Sequence, residues 1–208
     1  ECDGADLCEN DCKIDYEKLY KNRYPLLKKA YKRSHLESDS EYVAFVRENG
    51  YWLDDYALFM ACKTYFGGQE FTLWDEKVRN RDECTLLEYK DRLKEEVGFH
   101  KFLQYKFFSG WSRLKTFANK NGIKIIGDIP IYTSADSCDV WANRTLFDVD
   151  ENGVPVNVAG CPPDGFSADG QLWGNPVYCW ENHKKDGYKW WINRLKFCFN
   201  MYDVVRID

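Results

Sequence analysis

The order of predicted elements in the second half of the chain constrains its fold more than any other feature. Two runs rich in Ile and Val, IKIIGDIPIY at 123–132 and DVVRID at 203–208, predict buried strands. A long irregular stretch at 133–186 and an amphipathic helix at 187–200 lie between them. Strand, crossover helix and strand in this order predict two parallel neighbours, which is typical of an α/β fold.

The first half of the chain has helical patterns and no strand pattern. We predict helices, one or two of them over the first segment, at 16–33, 38–50, 51–66, 83–97 and 100–121. Ser38 and Glu41 have the spacing of a capping box, and Gly50 and Gly98 are the predicted ends of two of these helices. On the last helix the apolar period predicts a buried stripe made of Phe102, Tyr105, Trp111, Leu114, Phe117 and Ala118.

These patterns divide the chain into three parts. Residues 1–40 form an irregular or helical N-terminal segment, and 41–99 form an α-helical insertion subdomain. Residues 100–208 are predicted to form part of an α/β barrel, with 133–186 as its substrate loop, because an ordered loop of that length is usually functional.

The composition excludes several classes of function. The chain has 208 residues, 44% of them apolar, and a net charge of −5, whereas a nucleic-acid binder needs a basic surface. No run approaches the ~20 apolar residues of a membrane span. The nine cysteines show neither CxxC nor the Cys/His spacing of a zinc site. We therefore expect free thiols in a reducing cytoplasm, with a secreted disulfide framework as the alternative.

The strand at 203–208 carries a base and an acid near its C-terminal end. Side chains alternate along a strand, so Arg206 and Asp208 share one face. A neighbouring Arg favours an ionised carboxylate, which can act as a nucleophile at the strand ends where barrel active sites lie. A structural Arg–Asp pair at the strand's edge explains the same spacing. Asp128 lies near the C-terminal end of the other predicted strand. It would either lie at the same edge of the sheet as Arg206 and Asp208, called here the rim, or cap a loop.

The stretch at 158–180, VAGCPPDGFSADGQLWGNPVYCW, has the composition of a binding loop for a neutral polar ligand. Its short hydrogen-bonding groups and flat rings are Asp164, Ser167, Asp169, Gln171 and Asn175, with Phe166 and Trp173. Rings among neutral polar groups suit a sugar, whereas a phosphate would call for Lys or Arg, which this stretch lacks. An ordered loop packed on its own aromatic side chains is the alternative.

Together these segments resemble a known family. The segments GDIPIYTSADSCDVW, PPDGFSADGQLWGNP, GYKWWINRL and DVVRID, in this order, are similar to motifs of the 4-α-glucanotransferases, the amylomaltases or disproportionating enzymes of glycoside hydrolase family 77. The likeness covers roughly residues 40–208. It implies a (β/α)8 TIM barrel with an α-helical insertion. It also implies that segments of α-1,4-glucans are transferred to the 4-hydroxyl of glucose or another glucan by a retaining mechanism.

The resemblance implies roles for individual residues. Asp208 would be the catalytic nucleophile, and Arg206 would orient it and keep it ionised. Asp128 would line the donor side of the cleft. The substrate-binding residues predicted in the loop are Asp164, Phe166, Gln171, Trp173 and Asn175, with Trp173 as a stacking platform.

The resemblance also sets the expected partners and alternatives. We expect no metal or organic cofactor, and as partners α-1,4-glucans and glucose, with no nucleic acid and no membrane. A cytoplasmic location is expected, with a plastid as the alternative. The family's acid/base Glu would follow Asp208, so the chain alone is expected to be inactive. An amylase-like retaining α-glucan hydrolase and a non-catalytic glucan-binding module are the competing functions.

Overall fold

The structure, a computed structural model, describes residues 13–208. Its helices are α1 Tyr16–Arg33, α2 Ser40–Tyr65, α3 Glu76–Arg79, α4 Glu83–Arg92, α5 Lys94–Lys120, α6 Cys138–Ala142, α7 Trp180–Lys185 and α8 Lys189–Met201. Its strands are β1 Ile126–Ile129, β2 Val158–Cys161, β3 Gln171–Pro176 and β4 Val204–Ile207. Helices and strands are mixed in the second half, so the predicted α/β class is confirmed.

Two predicted helices are in fact one, α2. The predicted end at Gly50 is wrong, because Leu53 and Ala57 bury their side chains completely in the core just beyond it. That burial outweighs the cost of about 1 kcal/mol for a glycine inside a helix. The predicted cap at Ser38 is also wrong. Asp39 caps the helix instead, and its Oδ1 accepts the backbone N–H groups of Glu41 and Tyr42 at 2.9 and 3.1 Å.

The helix end predicted at Gly98 is wrong for a different reason. The break falls at Leu93, between α4 and α5, and Gly98 lies inside α5. A Cβ at Gly98 would collide with the hydroxyl of Tyr31, so the glycine lets α1 approach α5 closely. The buried stripe of α5 is only partly as predicted. Phe102 and Tyr105 are buried, but Leu114 and Phe117 are exposed.

The main core joins the helical first half to the second half. Trp141 of α6 is fully buried, and its ring centroid lies 5.7 Å from Phe59 and 6.0 Å from Trp74. Its Nε1 donates to the carbonyl of Val78 at 3.1 Å. Residues before 99 and residues from 138 onward share this core, and α5 runs through the predicted boundary between 99 and 100. The division into 41–99 and 100–208 stays a prediction.

Strands β1 and β4 are parallel neighbours, as the element order predicts. Their register pairs Ile126 with Val204 and Asp128 with Arg206. The intervening stretch at 133–186 is not the irregular loop that was predicted. It contains α6, α7 and the antiparallel pair β2–β3, and it buries side chains in the main core. Aromatic packing therefore supplies the order that its weak periodicity failed to indicate.

The six cysteines among the described residues form no disulfide: Cys62, Cys84, Cys138, Cys161, Cys179 and Cys198. This agrees with the predicted free thiols for that part of the chain. Cys2, Cys8 and Cys12 lie outside the described residues.

Candidate active site

Arg206 joins two carboxylates at the C-terminal ends of β1 and β4. Its guanidinium holds Asp128 with two donors, Nε to Oδ1 at 3.0 Å and Nη2 to Oδ2. The same Nη2 donates to Oδ2 of Asp208 at 2.9 Å. The parallel register explains this geometry, because it sets Asp128 directly beside Arg206, and strand alternation puts Asp208 on the same face.

The contact between Arg206 and Asp128 favours the charged form of both groups. The hydrogen bonds from Arg206 hold the pKa of the Asp128 carboxyl below its usual value, and the Asp128 carboxylate raises the pKa of Arg206. All three side chains are more than half exposed, at 62%, 51% and 68% for Arg206, Asp128 and Asp208. They therefore form an open acidic rim that is accessible from solvent, rather than a buried ion pair.

The backbone at this rim is tied across the two strands. The N–H of Asp208 donates to the carbonyl of Ile129 at 2.9 Å, and the N–H of Ile131 donates to the carbonyl of Asp208 at 2.6 Å. The main chain of Asp208 is therefore held by the residues on either side of Pro130. Pro130 itself has no N–H to give.

Asp164 and Phe166 lie at a tight turn of the loop. Oδ1 of Asp164 accepts the backbone N–H groups of Phe166 and Ser167 at 2.8 and 2.9 Å, which lowers the pKa of its carboxyl. This is the arrangement by which Asp stabilises its own turn. Phe166 is 98% exposed, so its ring meets solvent.

Gln171 and Trp173 form a pair on β3. Oε1 of Gln171 accepts the indole N–H of Trp173 at 2.9 Å, which fixes the orientation of the ring. The ring stays 47% exposed and lies 6.3 Å from the ring of Tyr132, centroid to centroid. A half-exposed ring of fixed orientation suits stacking against the apolar face of a sugar.

Asn175 links the loop to the acidic rim. Its Nδ2 donates to the carbonyl of Thr133 at 2.7 Å, five residues after Asp128. The structure thus brings Asp128, Arg206 and Asp208 together by direct contact. It connects Trp173 and Asn175 to them through residues 130–133, and it places Asp164 and Phe166 at the loop's turn.

Sequence reasoning missed three residues that hold this connection: Tyr132, Tyr178 and Arg194. Tyr132 stacks on Tyr178 at 5.7 Å, and both Tyr178 and Arg194 donate to the carbonyl of Ile131. A signal was present, because Arg194 follows Trp190 and Trp191 by four and three residues, the spacing of helix neighbours.

No group of three or more His, Cys, Asp or Glu side chains able to hold a metal occurs within residues 13–208. Among the described helices, none combines the length and the apolar character that crossing a lipid bilayer requires.

Comparisons with known proteins agree on one family. The family model described as 4-alpha-glucanotransferase, of glycoside hydrolase family 77, matches residues 3–208. The 4-alpha-glucanotransferase of Streptococcus pneumoniae is 46% identical over 210 residues, covering 100% of this chain and 42% of that protein. That of Clostridium butyricum is 44% identical over 96% of this chain and 41% of that protein.

A solved structure extends the likeness to the fold. The amylomaltase from Streptococcus agalactiae, in complex with acarbose, matches with a TM-score of 0.88 and 42% identity, over 94% of this chain and 40% of that one. The chain thus spans about two fifths of the length of these relatives.

Proposed function

The chain belongs to the 4-alpha-glucanotransferase family, glycoside hydrolase family 77. On that premise we propose that the complete protein transfers segments of α-1,4-glucans. The acceptor is the 4-hydroxyl of glucose or of another glucan, and the anomeric configuration is retained.

The observation that carries this proposal is the Arg206 bridge between two carboxylates at the ends of parallel strands. We assign Asp208 as the nucleophile and Arg206 as the group that orients it. The guanidinium meets Asp208 through Oδ2 alone, so Oδ1 is left to attack the anomeric carbon. Asp128 takes two donors of the same guanidinium and holds it in place, on the donor side of the cleft.

A retaining mechanism needs a second carboxyl about 5–5.5 Å from the nucleophile, which acts first as acid and then as base. Asp128 is a poor candidate for that role, because Arg206 lowers its pKa and so keeps it ionised. The acid/base group is therefore assigned to the Glu that the family resemblance places after Asp208. In this assignment β1 and β4 are two neighbouring strands of a (β/α)8 barrel, and 41–99 is its helical insertion.

The loop supplies the acceptor side in this proposal. Trp173 stacks on a glucose ring with its indole oriented by Gln171, and Phe166 offers an exposed ring at the turn. Asp164 contributes by building the turn, and Asn175 by fixing the loop to Thr133. Transfer prevails over hydrolysis when a positioned glucan hydroxyl reaches the covalent intermediate before water does.

Asp208→Asn in the complete protein tests the proposal. Incubation with maltotriose, followed by chromatography of the maltodextrins, measures glucose release and chain elongation together. We expect the wild type to form both shorter and longer products, and the variant to lose at least a thousandfold in rate. Asp91→Asn, an exposed carboxylate on α4, is the matched control and should keep full activity.

The other outcomes separate the competing functions. Free reducing sugar without elongation would identify a hydrolase. A wild type that binds glucans without turnover, and an Asp208→Asn variant of the same glucan affinity, would identify a binding module. The inactivity of the 208-residue chain alone and the cytoplasmic location stay predictions, and the same assay on the chain tests the first.

A further inference from the structure

We propose that Arg194 of α8 is a positioning residue for the nucleophile, acting through the backbone of residues 130–133, called here the rim segment. The proposal rests on the proposed function, since it takes Asp208 to be the attacking group. Arg194 itself contacts the rim segment and is not assigned any contact with substrate.

The rim segment holds the main chain of Asp208. The N–H of Ile131 donates to the Asp208 carbonyl at 2.6 Å, beyond the last paired residues of β1 and β4. A shift of the rim segment therefore moves the main chain that carries the Asp208 carboxylate. Displacement of a reacting group by about 1 Å can cost on the order of a hundredfold in rate.

The carbonyls of the rim segment need donors from outside the sheet. Pro130 ends the strand, and its carbonyl accepts Nη2 of Arg194 at 2.7 Å. The carbonyl of Ile131 accepts the hydroxyl of Tyr178 at 2.7 Å and Nη1 of Arg194 at 3.3 Å. One guanidinium thus spans two successive carbonyls, which a single ammonium group cannot do with the same geometry.

The guanidinium is itself held in place. Its central carbon lies 5.3 Å from the ring centroid of Trp190 and 5.0 Å from that of Trp191, and Nη1 contacts the Tyr178 hydroxyl at 3.3 Å. These cation–π contacts with two rings help to hold the guanidinium where it meets the carbonyls. A charge that only interacts with solvent would not need these contacts. They indicate that the Arg194 guanidinium has a role in fixing the rim segment.

The far end of the rim segment reaches the loop. The ring of Tyr132 lies 6.3 Å from that of Trp173, and the carbonyl of Thr133 accepts Nδ2 of Asn175 at 2.7 Å. Arg194 therefore fixes a segment that contacts both the nucleophile and the proposed acceptor platform.

Arg194→Lys in the complete protein tests the proposal, since it keeps the charge and loses the two-carbonyl grip. We expect kcat for maltotriose disproportionation to fall by tenfold to a hundredfold, with KM within about twofold because no assigned substrate contact is lost. The same loss should occur with an α-maltosyl fluoride donor, whose leaving group needs no acid catalyst. That readout separates a misplaced nucleophile from a fault in proton transfer.

Two further variants complete the test. Arg81→Lys is the matched control, because Arg81 stacks on Trp141 at 4.2 Å and pairs with Asp55, away from the rim segment. It should leave kcat unchanged. Tyr178→Phe removes one donor from the Ile131 carbonyl and should lower kcat in the same direction by a smaller factor. It decides the question if Arg194→Lys does not fold.

The results fall into distinct groups. The proposal is supported if Arg194→Lys lowers kcat with both maltotriose and α-maltosyl fluoride while Arg81→Lys leaves kcat unchanged. A folded Arg194→Lys with wild-type kcat overturns it and leaves the proposed function standing, as does an unchanged kcat in Tyr178→Phe if Arg194→Lys is unfolded. A wild type without disproportionation overturns the proposed function itself.

Discussion

Acidification should destabilise this protein through His100 of α5. The side chain is only 5% exposed, and its Nε2 lies 3.6 Å from Oε1 of Glu96, too far for a hydrogen bond. Burial lowers the pKa of His100 from its ordinary 6.5 to about 4. The attraction of Glu96 opposes this shift and Lys28 adds to it, but the burial effect is larger than either.

The size of the effect follows from linkage. Well above pH 6.5, from about pH 7.5 upward, the imidazole is neutral in both the folded and the unfolded state, so this loss of stability is absent there. As the pH falls below 6.5, the unfolded chain takes up a proton that the folded protein refuses until about pH 4. The free energy of unfolding should therefore drop by about 2 kcal/mol between roughly pH 7.5 and pH 5.

Urea unfolding followed by tryptophan fluorescence at these two pH values measures the drop. His100→Gln should remove most of it, whereas His35→Gln, at an exposed position, should leave it unchanged. Burial raises the pKa of the Asp139 carboxyl, which acts with the opposite sign but cancels in the comparison of variants. An equal drop in the wild type and His100→Gln would refute the assignment to His100.

Two further substitutions test the packing. Trp141→Ala should lower the free energy of unfolding by about 3–5 kcal/mol, because the ring is fully buried in the core shared by both halves; a loss below 1 kcal/mol in urea unfolding would show that this core closes without it. Gly160→Ala should destabilise the β2–β3 pair, since a Cβ there would collide with the backbone carbonyl oxygen of Gln171. Gly165→Ala meets open space and should be neutral, so equal melting temperatures for the two variants would contradict this reasoning.

The pairing of β1 with β4 was predictable from the sequence because it depends on short patterns of neighbouring residues. The runs at 123–132 and 203–208 are apolar and bounded, and a crossover between them implies parallel strands. Strand alternation then gives the shared face of Arg206 and Asp208. The structure shows one further contact, in which Arg206 holds Asp128 with two donors.

The helix ends were less predictable because tertiary contacts decide them. Glycine signals an end when the chain turns there, but Gly50 and Gly98 stay helical, one before a buried face and the other under the hydroxyl of Tyr31. Likewise, the donors to the Pro130 and Ile131 carbonyls come from α8 and its neighbour Tyr178, more than 45 residues along the chain. No local pattern around Pro130 indicates them.

The pairing of β1 with β4 has a consequence for synthesis. Asp128 and Arg206 are 78 residues apart, and β4 is the neighbour of β1 within the described part of the chain. At a translation rate of about 5–20 residues per second, β1 leaves the ribosome roughly 4–16 s before β4 does. During that interval the helical core around Trp74 and Phe59 can already assemble. The backbone N–H and C=O groups of β1 that later pair with β4 are still unpaired. Slow synthesis of the segment before β4 would therefore lengthen the time in which nascent chains can associate through β1.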